Sequence, residues 1–309
     1  MRIAVLAGGV GGARFVQALT EVAPPSDVTV IANVGDDLEV HGLHVSPDLD
    51  TLLYTLAGLG DEERGWGRAD ETWNALDTID RLGGETWFQL GDRDLGLHLV
   101  RTEALRRGEP LSAVTGRTAR AAGLELALLP ATDHRLRTRI RTPAGEFEFQ
   151  EWFVARGHRD RVDEIVFDGA THARPAPGVL EALEAAELIA IAPSNPFVSI
   201  GPILAVDEIR AGVERRRERV VAVSPLIGGR AVKGPADAMF QSLAGGTGAA
   251  QVTDCYKGLI GALVIDEADA DDAAAVAERG VRPLVTRTLM SEPGARAALV
   301  ETVLGLVPL

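Results

Sequence analysis

The first 32 residues restrict the fold more than any other part of the chain. Ile3 to Ala7 is a short apolar run, Gly8 to Gly12 contains four glycines, and Phe15, Val16 and Leu19 recur at helical spacing before a second apolar run, Val28 to Ala32. Strand, glycine turn, helix and strand in that order make a βαβ unit. The glycine turn leaves backbone N–H groups and a helix N-terminus open to an anion, so phosphate or nucleotide binding is the natural reading of Gly8, Gly9, Gly11 and Gly12.

The same βα rhythm returns late in the chain. Apolar strands are expected at Leu188 to Ala192, Val220 to Val223, Leu263 to Ile265 and Val281 to Val285, with helices near 177–186, 206–218, 236–243, 270–279 and 292–304, the last stopping at Gly305. Earlier helices are expected from Asp50 to Leu59 and from Trp73 to Leu82. Between Val114 and Phe167 the texture changes to strand-like runs at Glu125 to Leu129, Thr138 to Thr142 and Glu146 to Val154, the last two parted by Pro143-Ala144-Gly145. The fold class expected is α/β: a Rossmann-like, mostly parallel sheet with helices on both faces and an embedded strand-rich subdomain. Residues 1–113 and 176–309 would form the nucleotide-binding core, and 114–175 the smaller insertion.

Composition excludes several function classes. The 309 residues are 46% hydrophobic and 25% charged, which suits a globular chain, and the net charge is −14. So acidic a chain has no general attraction for nucleic acid or an anionic membrane surface, and any phosphate must be held locally. Cys255 is the only cysteine, which removes an intramolecular disulfide and any CxxC motif and fits a reducing cytoplasm. No apolar run reaches the length of a membrane span, and a cytoplasmic location is expected.

Asn33 to Thr51 carries the densest chemistry. Asp36, Asp37, Asp48 and Asp50 follow a strand directly, at the carboxyl end of the expected sheet, where α/β proteins bind ligands. Singly each aspartate reads as turn chemistry or a helix cap, but four together point to a hard cation, a hydroxyl or a cationic partner. His41 and His44 lack a third zinc ligand at an identifiable spacing and read as packed or surface residues. Two further loops follow strands. Ala192 to Leu204 offers Ser194, Asn195, Ser199 and Gly201, and Val223 to Ala236 offers Pro225, Gly228 and Gly229. A fourth cluster, Trp87 to His98, gathers Gln89, Asp92, Arg93, Asp94 and His98. A dinucleotide fingerprint fails in detail because its nearest frame begins at Ala7, and a Walker loop is excluded because no Gly-Lys dipeptide occurs.

Read in order, GGVGGARF, NVGDD, HGLHVSPDLDT, FQLGDRDLGLH, LPATDHRLRT, FQEWFV, APSNPFVSIGPIL and VSPLIGGRAVKGP resemble the 2-phospholactate or phosphoenolpyruvate transferase family of coenzyme F420 biosynthesis, the CofD/FbiA family. SPDLDT together with APSNPFVSIGPIL is the specific part. The resemblance implies transfer of a phospho-linked three-carbon acid from a guanosine diphospho donor to the ribityl hydroxyl of the deazaflavin Fo, with GMP leaving, magnesium as cofactor and a homodimeric enzyme. It implies Asp50 as the catalytic residue and, with Gln89, Asp92 and His98, as a contact for Fo. Asp36, Asp37, Asp48 and Asp50 are then the candidate magnesium ligands, and Gly8 to Gly12, Ser194 to Gly201 and Pro225 to Gly229 the nucleotide site. The actinobacterial wording of FQEWFV, GVGGARF and RGWG favours phosphoenolpyruvate. The alternative is a non-catalytic nucleotide-sugar-binding regulator of the gluconeogenesis-factor type, whose DDGGSSG segment is replaced here by DDLEVHG.

Overall fold

The computed structural model describes residues 1–306. Its centre is a seven-stranded, all-parallel sheet built from β1 (Ile3–Ala7), β2 (Val28–Ala32), β5 (Ala127–Pro130), β9 (Leu188–Ile191), β10 (Val220–Val223), β13 (Ala262–Asp266) and β14 (Arg282–Thr286). The order across the sheet is β14-β13-β10-β9-β1-β2-β5. The chain starts in the middle, winds outward to one edge through β2 and β5, and returns to wind to the other edge. Strand order therefore reverses between β1 and β9. Winding outward in both directions covers the sheet with helices, and β1, β9, β10 and β13 are buried along their whole length, all of them apolar apart from Asp266 at the end of β13.

Three small antiparallel sheets decorate this core. A hairpin pairs β3 (Leu38–Val40) with β4 (Leu43–Val45), three strands stand in the order β7 (Gly145–Glu148), β6 (Arg137–Thr142) and β8 (Glu164–Asp168), and a two-residue ladder joins β11 (Leu226–Ile227) to β12 (Arg230–Ala231). The strand expected at Glu125 to Leu129 is β5 and pairs with β2 in the parallel sheet, while the three-stranded sheet falls within 137–168. The expected strand Glu146 to Val154 stops at Glu148, and the chain turns into a π-helical segment, Glu151–Ala155. That turn buries Trp152 beside Ile140, Phe149 and Val162 in a satellite core, a better use of the indole than an edge strand would give.

Helix α1 (Gly9–Thr20) opens inside the expected glycine turn, with Gly8 as its N-cap and Gly9, Gly11 and Gly12 in its first turn, and α2 runs from Pro47 to Leu56. The sequence pattern predicts a start at Asp50. Helix α2 opens three residues earlier because proline at the first helical position has its φ pre-set and lacks only an N–H that would be unpaired anyway. This places Asp48 and Asp50 in the first turn, where the helix dipole favours carboxylates. Helix α3 (Asn74–Arg81) lies where expected, and α4 (Asp92–Arg106) and α5 (Leu111–Ala121) complete the first half. Among the described residues no helix is long and apolar enough to cross a membrane.

Candidate active site at the strand-order reversal

A cleft of about 800 Å³ opens over the carboxyl ends of β1 and β9. It lies where open α/β sheets bind ligands, because loops leaving two neighbouring strands in opposite directions part at that point. Gly8, Gly9 and Gly11 form its floor with Pro193, Ser194, Asn195 and Ser199. The two loops are tied together. Gly8 N–H donates to Ser194 Oγ at 3.2 Å, and the same hydroxyl donates back to Gly8 C=O at 2.7 Å. Gly12 stands behind this floor, where a Cβ would lie 2.6 Å from Ser194 Oγ. Gly201 does not line the cleft and is needed for close approach to the Phe167 ring.

All four aspartates of the Asn33 to Thr51 segment are buried, and they divide into separate environments. Asp36 and Asp48 form a pair. The Asn33 amide donates to Asp36 Oδ1 at 3.1 Å and to Asp48 Oδ2 at 2.9 Å, Gln150 donates to Asp36 Oδ2 at 3.0 Å, and Gly9 N–H donates to Asp48 Oδ1 at 2.7 Å. Helix α1 has no side-chain cap of its own, so Asp48 supplies an anion at its N-terminus from another helix. Burial raises the Asp36 pKa well above the usual carboxylate range, with Asp48 and Asp37 adding to it. Burial likewise pushes Asp48 up to about 6, although the Asn33 and Gly9 hydrogen bonds oppose the shift. A paired, buried and poorly compensated set of carboxylates is short of positive charge.

Asp37 does not line the cleft. Its Oδ2 meets His44 Nε2 and Ser46 Oγ, each at 2.9 Å, and its Oδ1 is buried with no hydrogen-bond partner among the described residues. His44 is thus a partner of Asp37.

Asp50 lines the cleft but carries its own counter-charge. Arg101 forks onto it, with one guanidinium nitrogen 2.9 Å from Oδ2 and the other on Oδ1. Burial disfavours the Arg101 charge, but Asp50 more than offsets it and the guanidinium pKa rises. His98 Nδ1 is 3.8 Å from Asp50, and its Nε2 is 3.4 Å from Asp94, whose other contact is the Tyr54 hydroxyl. Burial opposes the Asp94 charge, but His98 and Tyr54 hold its pKa below the usual value.

The remaining expected residues fall into two groups. Gln89, His98 and Pro225 line the cleft. Asp92 does not. Its carboxylate accepts from Thr72 Oγ1 and from the backbone N–H groups of Asn74 and Ala75, closing the start of α3, and those bonds hold its pKa far below normal. Gly228 and Gly229 also stand away from the lining, and their N–H groups already donate to Asp269 at 3.0 and 2.8 Å. Arg101, Tyr54, Asn33 and Gln150 are the functional candidates that the sequence reading did not single out. Asp94, His98 and Arg101 stand four and three residues apart, so reading 92–106 as a helix would have shown one polar stripe.

Trp66, Trp87, Phe88, Phe149 and Phe153 also line the cleft, so its lining combines polar groups with aromatic rings. Among the described residues no group of three or more His, Cys, Asp or Glu side chains forms a ready metal cage. Magnesium rarely needs one, since it is commonly held by one or two carboxylates, water and substrate phosphates. The hard oxygen pair Asp36 and Asp48, charge-deficient and next to the glycine turn, fits that pattern.

Fold and cleft together put the chain among α/β proteins with a cleft at the strand-order reversal. Residues 3–292 match the family model for the 2-phospho-L-lactate transferase CofD, and the chain belongs to that family. It is 43% identical over 312 residues to the phosphoenolpyruvate transferase of Streptomyces griseus, covering 99% of this chain and 98% of the relative. It is 39% identical over 326 residues to that of Mycobacterium bovis BCG, covering 97% of each. Among solved structures, a member of the UPF0052 family from Bacillus halodurans shares the fold, with a TM-score of 0.64, 14% identity and coverage of 98% of this chain and 100% of that one.

Proposed function

We propose that this transferase moves a phosphoenolpyruvyl group from a guanosine diphospho donor to the terminal ribityl hydroxyl of the deazaflavin Fo, in coenzyme F420 biosynthesis. The observation that carries this reading is the meeting of the Asp36 and Asp48 pair with the α1 N-terminus at the strand-order reversal, in a chain of the CofD family. The names of the Streptomyces and Mycobacterium relatives support phosphoenolpyruvate over phospholactate.

The reaction forms one P–O bond and breaks another. The Fo hydroxyl oxygen attacks the phosphorus bearing the three-carbon acid, the bridging P–O bond to GMP breaks, and the hydroxyl proton passes to solvent water. Gly11 and the Ser194 to Ser199 loop bind the diphosphate and fix it in line with the hydroxyl. Asp36 and Asp48 would hold magnesium together with the donor phosphates, and the ion would neutralise charge on the diphosphate oxygens. Asp50 accepts the hydrogen bond of the Fo hydroxyl, with Gln89 and His98 beside it, and the aromatic side chains of the lining take the tricyclic ring. A homodimer working in the cytoplasm completes the reading.

The test incubates the protein with magnesium, Fo and each of the two synthetic donors in turn, following product mass and GMP. Phosphoenolpyruvyl product with stoichiometric GMP is expected. Tight GDP binding without product from either donor would refute the transferase reading in favour of a binding protein.

A further inference from the structure

The Asp50 ion pair is unusually placed. Asp50, Tyr54, Asp94 and His98 all line the cleft, whereas Arg101 stands behind it and is only 4% exposed. Asp50 and Tyr54 are one turn apart on α2, and Asp94, His98 and Arg101 share a stripe on α4. The two helices are therefore joined across the cleft wall by a continuous polar chain: Tyr54 to Asp94, Asp94 to His98, and His98 and Arg101 to Asp50. His98 Nε2 is buried and has no hydrogen-bond partner among the described residues. Stability alone gives little reason for such a cluster, because a buried ion pair often gains nothing over an apolar pair of similar volume.

Geometry gives a better reason. A forked guanidinium fixes the plane and direction of a carboxylate, which a single donor cannot do. Each carboxylate oxygen keeps a lone pair beyond the one that Arg101 uses, so Asp50 can still accept a hydrogen bond from the cleft. With its charge already matched, Asp50 is also a poor competitor for a cation against Asp36 and Asp48.

We propose that Arg101 is a positioning residue for the transfer, holding Asp50 so that one carboxylate oxygen faces the acceptor hydroxyl, and that Asp50 contacts the acceptor and not the cation. The inference rests on the transferase reading above. Its test uses full-length wild type, Arg101→Met, Arg101→Lys, Asp50→Asn and the Asp50→Asn/Arg101→Met double variant, with magnesium, donor and Fo. GDP affinity is measured by calorimetry.

Arg101→Met should lower kcat/KM for Fo by about 10²-fold, the scale of a displacement near 1 Å at a reacting group. KM for the donor and GDP affinity should stay within about threefold, well inside that effect. Arg101→Lys, which keeps the charge but loses the fork, should recover only part of the loss. Because Arg101 acts through Asp50, the double variant should be no slower than Asp50→Asn alone. It removes both buried charges, so it also keeps the test open if Arg101→Met does not fold. Multiplied losses in the double variant, or donor and GDP binding falling in step with Fo, would overturn the proposal. A wild-type protein that binds GDP but yields no product would instead overturn the transferase reading beneath it.

Discussion

Replacing Gly8 with alanine puts the smallest side chain at the most crowded point of the site. Gly8 has φ −158°, an extended conformation open to any residue, so the substitution brings no backbone strain and tests space alone. A Cβ there would overlap Asp48 Oδ2 and lie 2.9 Å from Ser199 Cβ and 3.2 Å from Asn33 Cβ. Asp48 is the softest of these neighbours and must move. Overpacking costs about 1–3 kcal/mol, and weakening the charge-assisted bond from Gly9 N–H to Asp48 adds about 1.5–3 kcal/mol at most. The fold has enough core to survive that, but the carboxylate pair does not keep its geometry. A displacement near 1 Å at a reacting centre costs about 10²-fold, so kcat/KM should fall by at least that factor while the melting transition remains cooperative. The assay is GMP release under magnesium, donor and Fo, with calorimetry for GDP. Gly96→Ala on α4 is the control: a Cβ there meets nothing within 4 Å, and alanine in a helix interior should stabilise by about 1 kcal/mol with full activity. Gly8→Ala turnover within about threefold of wild type, far short of the effect of a misplaced group, would refute the placement of Asp48 in the reacting centre.

Asp48 also predicts a pH signature for the metal-free protein. Its folded pKa, raised from 3.8 to about 6, means that the folded state holds its proton longer than the unfolded chain, so stability falls as pH rises from about 4 to 6 and stays lower above that. At 1.36 kcal/mol for each pH unit the penalty is about 3 kcal/mol, and Asp36 adds to it in the same direction. Magnesium should therefore raise Tm more at pH 7.5 than at pH 5, and Asp48→Asn should flatten this slope; equal, or absent, magnesium effects at the two pH values would place the cation elsewhere. Asp269→Ala frees the Gly228 and Gly229 N–H groups, and should raise donor KM severalfold with little change in kcat; unchanged amide exchange at both glycines would show that Asp269 does not hold the loop. Fo binding should quench the fluorescence of cleft tryptophans Trp66 and Trp87, and the loss of quenching in a Trp66→Phe, Trp87→Phe variant would confirm that Fo sits beside them, whereas undiminished quenching would move it.

What the sequence made legible was local, and what it hid was pairing at a distance. The opening βαβ unit, most later strands and the carboxylate cluster each follow from residues within one short window. Helix α4 was hidden because Asp94, His98 and Arg101 occupy its buried face, and a polar stripe facing inward defeats the apolar periodicity by which helices are found. Gly228 and Gly229 looked like free anion donors, but Asp269, 40 residues further along, already occupies them. Gln150 comes from 114 residues away to Asp36. The two aspartates of SPDLDT show the limit most plainly. Two steps along a helix of 3.6 residues per turn turn a side chain by about 200°, so Asp48 faces α1 and Asn33 whereas Asp50 faces α4 and Arg101. Both belong to one motif and one helical turn, yet one is left short of positive charge and the other is already neutralised. Composition and spacing could say that carboxylates gather here. Only the packing of α2 between α1 and α4 decides which of them has charge left to offer a cation and which is fixed as a hydrogen-bond acceptor.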